Sequence, residues 1–239
     1  MHPGKKIAVL CFLSCILSIV YADPPRNFEL AKKIAQTIFA SHPKTLYCGC
    51  DYDSNKNISL ASCNMESAEG HSRAHRMEWE HIVPASVLGT GHECWTENIC
   101  TKTNGEKYHG RKCCEKVDNE FRIAEAELYN LWPANGLINQ LRENYHYAAL
   151  PFTDYAYGCN FIVDPIHQLV EPNNHSKGTV ARASLFVYEK NHIELAQDQK
   201  ELFTEWDLFF PPEPWEIEWA KQVADIEGYA NPYIEKYYN

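Results

Sequence analysis

The sequence has 239 residues, with 22 lysines and arginines against 32 aspartates and glutamates, a formal net charge of −10. This balance excludes a generally basic nucleic-acid binder, because such proteins carry a basic surface. It leaves room for a local positive patch: residues 197–239 hold ten acids and three bases, whereas residues 73–122 hold eight of each.

Lys5 and Lys6 precede an apolar run over 7–20, and Val20-Tyr21-Ala22 resembles a small-residue cleavage site. That is the pattern of a secretory signal peptide. The run of about 14 residues is shorter than the roughly 20 a membrane-spanning helix needs. The expectation is a leader over 1–22 cleaved near Ala22, a single mature domain over 23–239, and a secreted or periplasmic location with no membrane attachment. Cys11 and Cys15 leave with the leader, and Cys48, Cys50, Cys63, Cys94, Cys100, Cys113, Cys114 and Cys159 remain. An even number in an exported chain reads as disulfides. A zinc site of the finger type would need paired Cys-x-x-Cys hooks, and none is present. Adjacent Cys113 and Cys114 are expected to bond different partners, since a ring between neighbours is strained; the pairing itself stays open.

Apolar residues Leu30, Ala31, Ile34, Ala35 and Ile38 predict a helix over 27–40, ended by Pro43 and serving core packing. Residues 48–70 read as strand and loop stapled by Cys63. Trp79, Ile82 and Val83 predict a strand over 77–83, and 88–122 reads as a long loop held by its cysteines. A short helix is expected over 121–128, an apolar run over 129–133, and a helix over 135–147. On that last helix Ile138, Leu141 and Tyr145 form the packing face, while Asn135, Asn139 and Arg142 form a presenting face. A strand over 155–163 and a polar loop over 171–178 follow. Helices are expected over 180–188, 196–210 and 214–226, with Pro214 in a first turn.

The chemistry centres on residues 76–84, which put a carboxylate and an imidazole side by side at Glu80-His81. One can ligate a hard cation and the other can take a proton near neutral pH. Adjacent strand residues point to opposite faces, so the pair serves one site only if the strand ends or bends there; Pro84 makes such an end reasonable. Further stretches add to the pair: Glu78-Trp79-Glu80-His81-Ile82-Val83-Pro84-Ala85, Cys94-Trp95, Gly110-Arg111-Lys112, Asn130-Leu131-x-Pro133-Ala134, Asn139-x-x-Arg142-x-Asn144-Tyr145, Ala181-Arg182-Ala183 and Asn231-Pro232-Tyr233. In this order they resemble the endonuclease I family of periplasmic and secreted nucleases, across nearly the whole mature chain.

The resemblance implies an α+β fold: one disulfide-stapled domain built on a ββα-metal (His-Me finger) core with additional helices. It implies a monomer that hydrolyses DNA, and RNA as well, by its phosphate backbone, with little sequence specificity and 5′-phosphate ends. Carried over residue by residue, it makes His81 the general base, Arg111 the phosphate-binding arginine, and Asn130 the brace of the loop that holds the histidine. Glu80 and Asn139 become ligands of a divalent ion, Mg²⁺ first and Mn²⁺ or Ca²⁺ as alternatives. Glu125 falls where the family has a second acidic residue near the metal, and Lys112 and Arg142 are assigned to nucleic-acid contact. His71, His75, His92 and His109 are expected to gather round the motif. Two alternatives remain. One is a metal-independent two-histidine acid ribonuclease, whose second histidine would fall at Asn130. The other is a secreted disulfide-rich binding protein without catalysis.

Overall fold

The computed structural model describes residues 22–238, so the expected leader lies outside them apart from Ala22. The chain mixes helices and short strands, as the α+β expectation requires. Helix α1 (Phe28–Phe39) starts where the Asn27 side chain accepts from the Leu30 amide at 2.9 Å, pairing a donor that a helix end leaves free. Ala31, Ala35, Ile38 and Phe39 form its buried face. Three short 3-10 turns follow, at Leu60–Cys63, Glu66–Ala68 and Ser72–His75, the first tied back by Cys50–Cys63.

Next come β1 (Met77–His81), α2 (Ala85–Leu88), α3 (Glu93–Thr96), β2 (Cys100–Thr101), β3 (Lys107–Tyr108), α4 (Arg111–Val117) and α5 (Asn119–Glu125). The stretch 88–122, expected as a loop, therefore holds short helices and a small hairpin. Cys94–Cys114 and Cys100–Cys113 cross-link it, and the neighbouring cysteines do take different partners. The fourth disulfide, Cys48–Cys159, joins positions 111 residues apart in sequence.

Strand β4 (Leu131–Asn135) pairs antiparallel with β1 in the register Met77↔Asn135 to His81↔Leu131, and α6 (Gly136–Arg142) follows it without a loop. Two strands and a helix thus form the centre. The helix expected over 135–147 stops at Arg142, because Glu143 turns to φ +48°. The chain beyond it enters a three-stranded sheet of β5 (His146–Tyr147), β6 (Ile162–Asp164) and β7 (Leu169–Glu171), ordered β5-β7-β6. The strand expected over 155–163 is reduced to β6, since a 3-10 turn at Ala156–Gly158 with Tyr157 at positive φ precedes it.

Four helices complete the chain: α7 (Asn174–Lys190), α8 (Gln197–Phe209), α9 (Pro214–Glu227) and α10 (Pro232–Glu235). Helix α7 reaches back into the expected polar loop because the Asn173 side chain caps it through the Ser176 amide at 2.9 Å. Gly228 (φ +81°) closes α9 in the left-handed region that favours glycine. Phe39 from α1 meets Trp79, Trp132, Trp215 and Trp219 with ring centroids 5.2–6.1 Å apart, which locks α1 and α9 onto the β1–β4 pair.

Candidate active site

His81 is the last residue of β1 and is 7 % exposed. Its Nε2 lies 2.8 Å from the backbone carbonyl oxygen of Glu125. A carbonyl only accepts, so Nε2 donates the proton and Nδ1 keeps a free lone pair. Burial disfavours the imidazolium and lowers the pKa to about 4. The Glu125 carbonyl opposes that shift, while Arg111 and Arg142 reinforce it. The His81 ring packs 4.7 Å from Phe28 in the first turn of α1. The Arg111 guanidinium lies over the same Phe28 ring at 5.0 Å.

The segment after His81 is pinned by Asn130, which is fully buried. Its Oδ1 accepts from the Val83 amide at 2.7 Å and its Nδ2 donates to the Val83 carbonyl at 3.0 Å. The Ile82 amide donates to the Asn130 carbonyl at 3.0 Å. Asn130 thus braces the backbone that follows His81.

Arg111 opens α4 and is about one-third exposed. Its Nε donates to the carboxylate of Glu125, which is 1 % exposed, and Glu115 lies 3.4 Å from the same nitrogen. Burial raises the Glu125 pKa, with Arg111 pulling it back. Nη2 of Arg111 is buried with no hydrogen-bond partner among the described residues. Lys112 is exposed and pairs with Glu115 on the surface.

Glu80, the residue before His81 at the end of β1, is 4 % exposed. Tyr47 Oη donates to its Oε1 at 2.6 Å, and Arg142 Nε sits 3.3 Å from the same oxygen, as an ion pair too poorly aligned for a hydrogen bond. Burial raises the Glu80 pKa; Arg142 and the Tyr47 hydroxyl oppose it. Oε2 takes no hydrogen bond among the described residues. Asn139 is half-buried, and its Nδ2 donates to Glu78 at 3.3 Å, which leaves Oδ1 free. A free carboxylate oxygen and a free amide oxygen are the donors a hard divalent cation selects, so this pair fits the expected ion.

Of the presenting face expected on α6 only Asn139 remains available. Asn135 is buried as the helix cap, accepting from the Leu137 and Ile138 amides and donating to the Ala74 carbonyl. Arg142 is 1 % exposed and donates to the Ile82 carbonyl and to Tyr147 Oη. Its expected contact with nucleic acid does not fit that burial, because α6 is enclosed on the side that helical periodicity assigned to solvent. The other histidines also have separate engagements: His75 with the Glu69 carbonyl, His92 with Asp118, and His109 with Asn98.

Sequence reasoning missed Phe28, Tyr47, Glu78 and Tyr147. Phe28 belongs to a helix read as ordinary packing, and Tyr47 is 33 residues from Glu80, so neither carries a local signal. Glu78 could have been found, since its spacing of two from Glu80 puts both on one strand face. Among the described residues one further group has ligand types close together, His92, Cys94 and Asp118, but the Cys94 sulfur is committed to its disulfide with Cys114.

The sequence profile of the Endonuclease I family matches residues 26–237. An extracellular deoxyribonuclease of Aeromonas hydrophila is 36 % identical over 216 residues, covering 88 % of this chain and 90 % of that protein. A periplasmic deoxyribonuclease of the same organism is 34 % identical over 246 residues, covering 99 % of each. Endonuclease-1 of Buchnera aphidicola subsp. Acyrthosiphon pisum is 36 % identical over 215 residues, covering 88 % of this chain and 81 % of that protein. With a family match running from the turn before α1 to the residues after α10, the chain belongs to the endonuclease I family.

Proposed function

We propose that this chain is an exported, divalent-metal-dependent endonuclease that hydrolyses DNA, and RNA as well, with little sequence specificity, leaving 5′-phosphate ends. The observation that carries the reading is the His81–Arg111 arrangement on the Phe28 ring. It combines an imidazole with its tautomer fixed and Nδ1 free, and a guanidinium with one buried nitrogen unpaired. The relatives, extracellular and periplasmic deoxyribonucleases by name, support the substrate and the location. Among the described residues no helix is long and apolar enough to cross a membrane.

In this reading His81 Nδ1 takes the proton from the water that attacks phosphorus. The partly exposed Arg111 guanidinium donates to a non-bridging phosphate oxygen as charge builds there. Glu125 aligns both groups at once, its carbonyl on His81 and its carboxylate on Arg111. Asn130 keeps the backbone after His81 from drifting. Lys112, exposed beside Arg111, supports the phosphate backbone further along the strand. Glu80 Oε2 and Asn139 Oδ1 would hold the ion, Mg²⁺ by preference and Mn²⁺ or Ca²⁺ as substitutes. When bound, it supplies positive charge to the phosphate and the departing 3′ oxygen. Only phosphates are engaged, hence the weak sequence preference. The two-histidine ribonuclease alternative loses ground because Asn130 has no titratable proton and is bonded to Val83 on both sides.

Plasmid nicking by His81→Ala against wild type, with Mg²⁺ or Mn²⁺, tests the reading. We expect a loss of about 10²–10⁴-fold, the usual contribution of a positioned general base. Equal cutting by the two proteins, or activity that survives EDTA, would sink it.

A further inference from the structure

Glu78 lies two residues before Glu80 on β1, facing Ala134 across the pair. Its side chain is one-fifth exposed, and both its oxygens are occupied. Oε1 accepts from Arg73 Nε at 3.1 Å and Arg76 Nε at 2.8 Å. Oε2 accepts from Arg73 Nη2 and from Asn139 Nδ2 at 3.3 Å. Two guanidinium ions hold this carboxylate, which leaves it no free oxygen for a cation. The local backbone is built to let it sit there. A Cβ on Gly136, the first residue of α6, would lie 2.9 Å from Glu78 Oε1 and 2.6 Å from the Arg73 carbonyl oxygen.

The contact has a directional consequence. An ionised carboxylate only accepts, so the Asn139 atom turned towards it must be the NH₂ group. The amide is planar, so its Oδ1 is turned away from Glu78. The two faces of an asparagine amide differ little in shape, and without a fixed partner the group can flip. A flipped Asn139 would present hydrogens, not an oxygen, to a cation. We propose that Glu78, clamped by Arg73 and Arg76, is a positioning residue that fixes the Asn139 amide so that its oxygen faces the divalent ion. This rests on Asn139 being a ligand, as proposed above. Partners of this kind orient ligands and tune metal affinity in many sites.

Metal binding to the mature chain, read without turnover, tests it. Mn²⁺ affinity would be measured by electron paramagnetic resonance, and the melting-temperature rise on adding Mg²⁺ would be followed in parallel. The proteins are wild type, Glu78→Ala, Glu78→Gln, Asn139→Ala and the Glu78→Ala/Asn139→Ala double variant. Glu78→Ala is expected to weaken Mn²⁺ binding about 10–100-fold. Glu78→Gln should weaken it less, because its carboxamide oxygen still accepts from Asn139, and it serves if the alanine variant folds poorly. The double variant should bind no more weakly than Asn139→Ala alone, since Glu78 acts only through that amide. Additive losses in the double variant would make Glu78 an independent ligand and overturn the proposal. Normal affinity in both Glu78 variants, with a loss in Asn139→Ala, would overturn it while leaving the ligand assignment intact. Unchanged affinity in Asn139→Ala would overturn the ligand assignment itself and the proposal with it.

Discussion

Arg182 in α7 and Arg111 at the head of α4 both face buried carboxylates, but they use their donors differently. Arg182 is 1 % exposed and every nitrogen is engaged: Nε and Nη2 with Glu216 at 2.9 and 2.7 Å, Nη1 with Asp207 at 3.3 Å and the Phe210 carbonyl at 2.8 Å. Glu216 also accepts from the Thr179 hydroxyl, and Lys236 reaches the other oxygen of Asp207. Gly178 makes room for this: a Cβ there would fall 1.9 Å from the Phe210 carbonyl oxygen. The cluster closes α7, α8, α9 and the C-terminal turn on one another and leaves no nitrogen of Arg182 without a partner. At Arg111 only Nε is engaged and neither terminal nitrogen has a hydrogen-bond partner among the described residues, beside a histidine with a free Nδ1. Buried polar groups are normally satisfied, and under the proposed function the donors left unpaired at Arg111 are the ones a phosphate would use.

The largest effect that could break this contrast comes from making the same substitution at both arginines. Arg182→Met strands Glu216 and Asp207 in the interior. Removing one partner of a buried pair costs about 3–5 kcal/mol, so urea unfolding should show a loss of that order. Nicking per folded molecule should stay at the wild-type level. Arg111→Met should behave in reverse. Arg111 is partly exposed and the Glu125 carboxyl is already biased towards its neutral form, so the stability loss is smaller, about 1–3 kcal/mol. Nicking should fall about 10²–10³-fold, the range for losing one transition-state donor. If Arg111→Met cuts normally, its unpaired nitrogens have no functional meaning and the comparison collapses.

How much of this was legible depends on how local each signal is. The Glu80-His81 pair, Asn130, Asn139 and Arg111 were readable because each sits in a short contiguous motif. The helices α1, α8 and α9 were readable because apolar spacing or a proline marks them. Helix α4 was not, since seven residues are too few for a periodic pattern and disulfides, rather than amphipathicity, hold that region, whereas α5 is the short helix expected over 121–128, begun two residues earlier by its Asp118 cap. The burial of Arg142 was hidden for another reason. Periodicity assigns a polar stripe to solvent, but here Glu80, Tyr147 and the Ile82 carbonyl receive the arginine inside. Charge matched by distant residues leaves no trace in the spacing.

A third buried cluster sharpens the comparison by having too many acids. Glu227 and Glu127 share Tyr229 Oη, with Lys190 as the cation, and Glu227 Oε1 accepts from the Leu128 amide at 3.0 Å. Burial first, and then the Glu127 charge, raise the Glu227 pKa from 4.5 to about 7. The folded state therefore binds more protons than the unfolded chain between those values. This contribution to stability is full below pH 4.5 and is lost as pH rises to about 7. Glu227→Gln removes the titration, so the variant should gain stability relative to wild type across that window, by up to about 3 kcal/mol. Chemical denaturation of both proteins at pH 4.5, 6 and 8 reads it; a difference that does not change with pH would mean that Glu227 stays ionised in the fold.

The smallest effect concerns the side of the site that α1 supplies. Asn27 caps the helix whose first residue, Phe28, carries both the His81 ring and the Arg111 guanidinium. Asn27→Ala removes the bond to the Leu30 amide and should cost about 1 kcal/mol in stability. The site predicts a second consequence that a simple cap loss does not. Fraying of the first turn loosens the surface on which His81 and Arg111 are set, so nicking should fall by more than the folded fraction does, whereas Thr37→Ala at the other end of α1 should leave it unchanged. If both variants lose activity only in step with folding, Phe28 is packing alone, and the contrast between spent and spare donors must rest on Glu125 and Asn130 without help from α1.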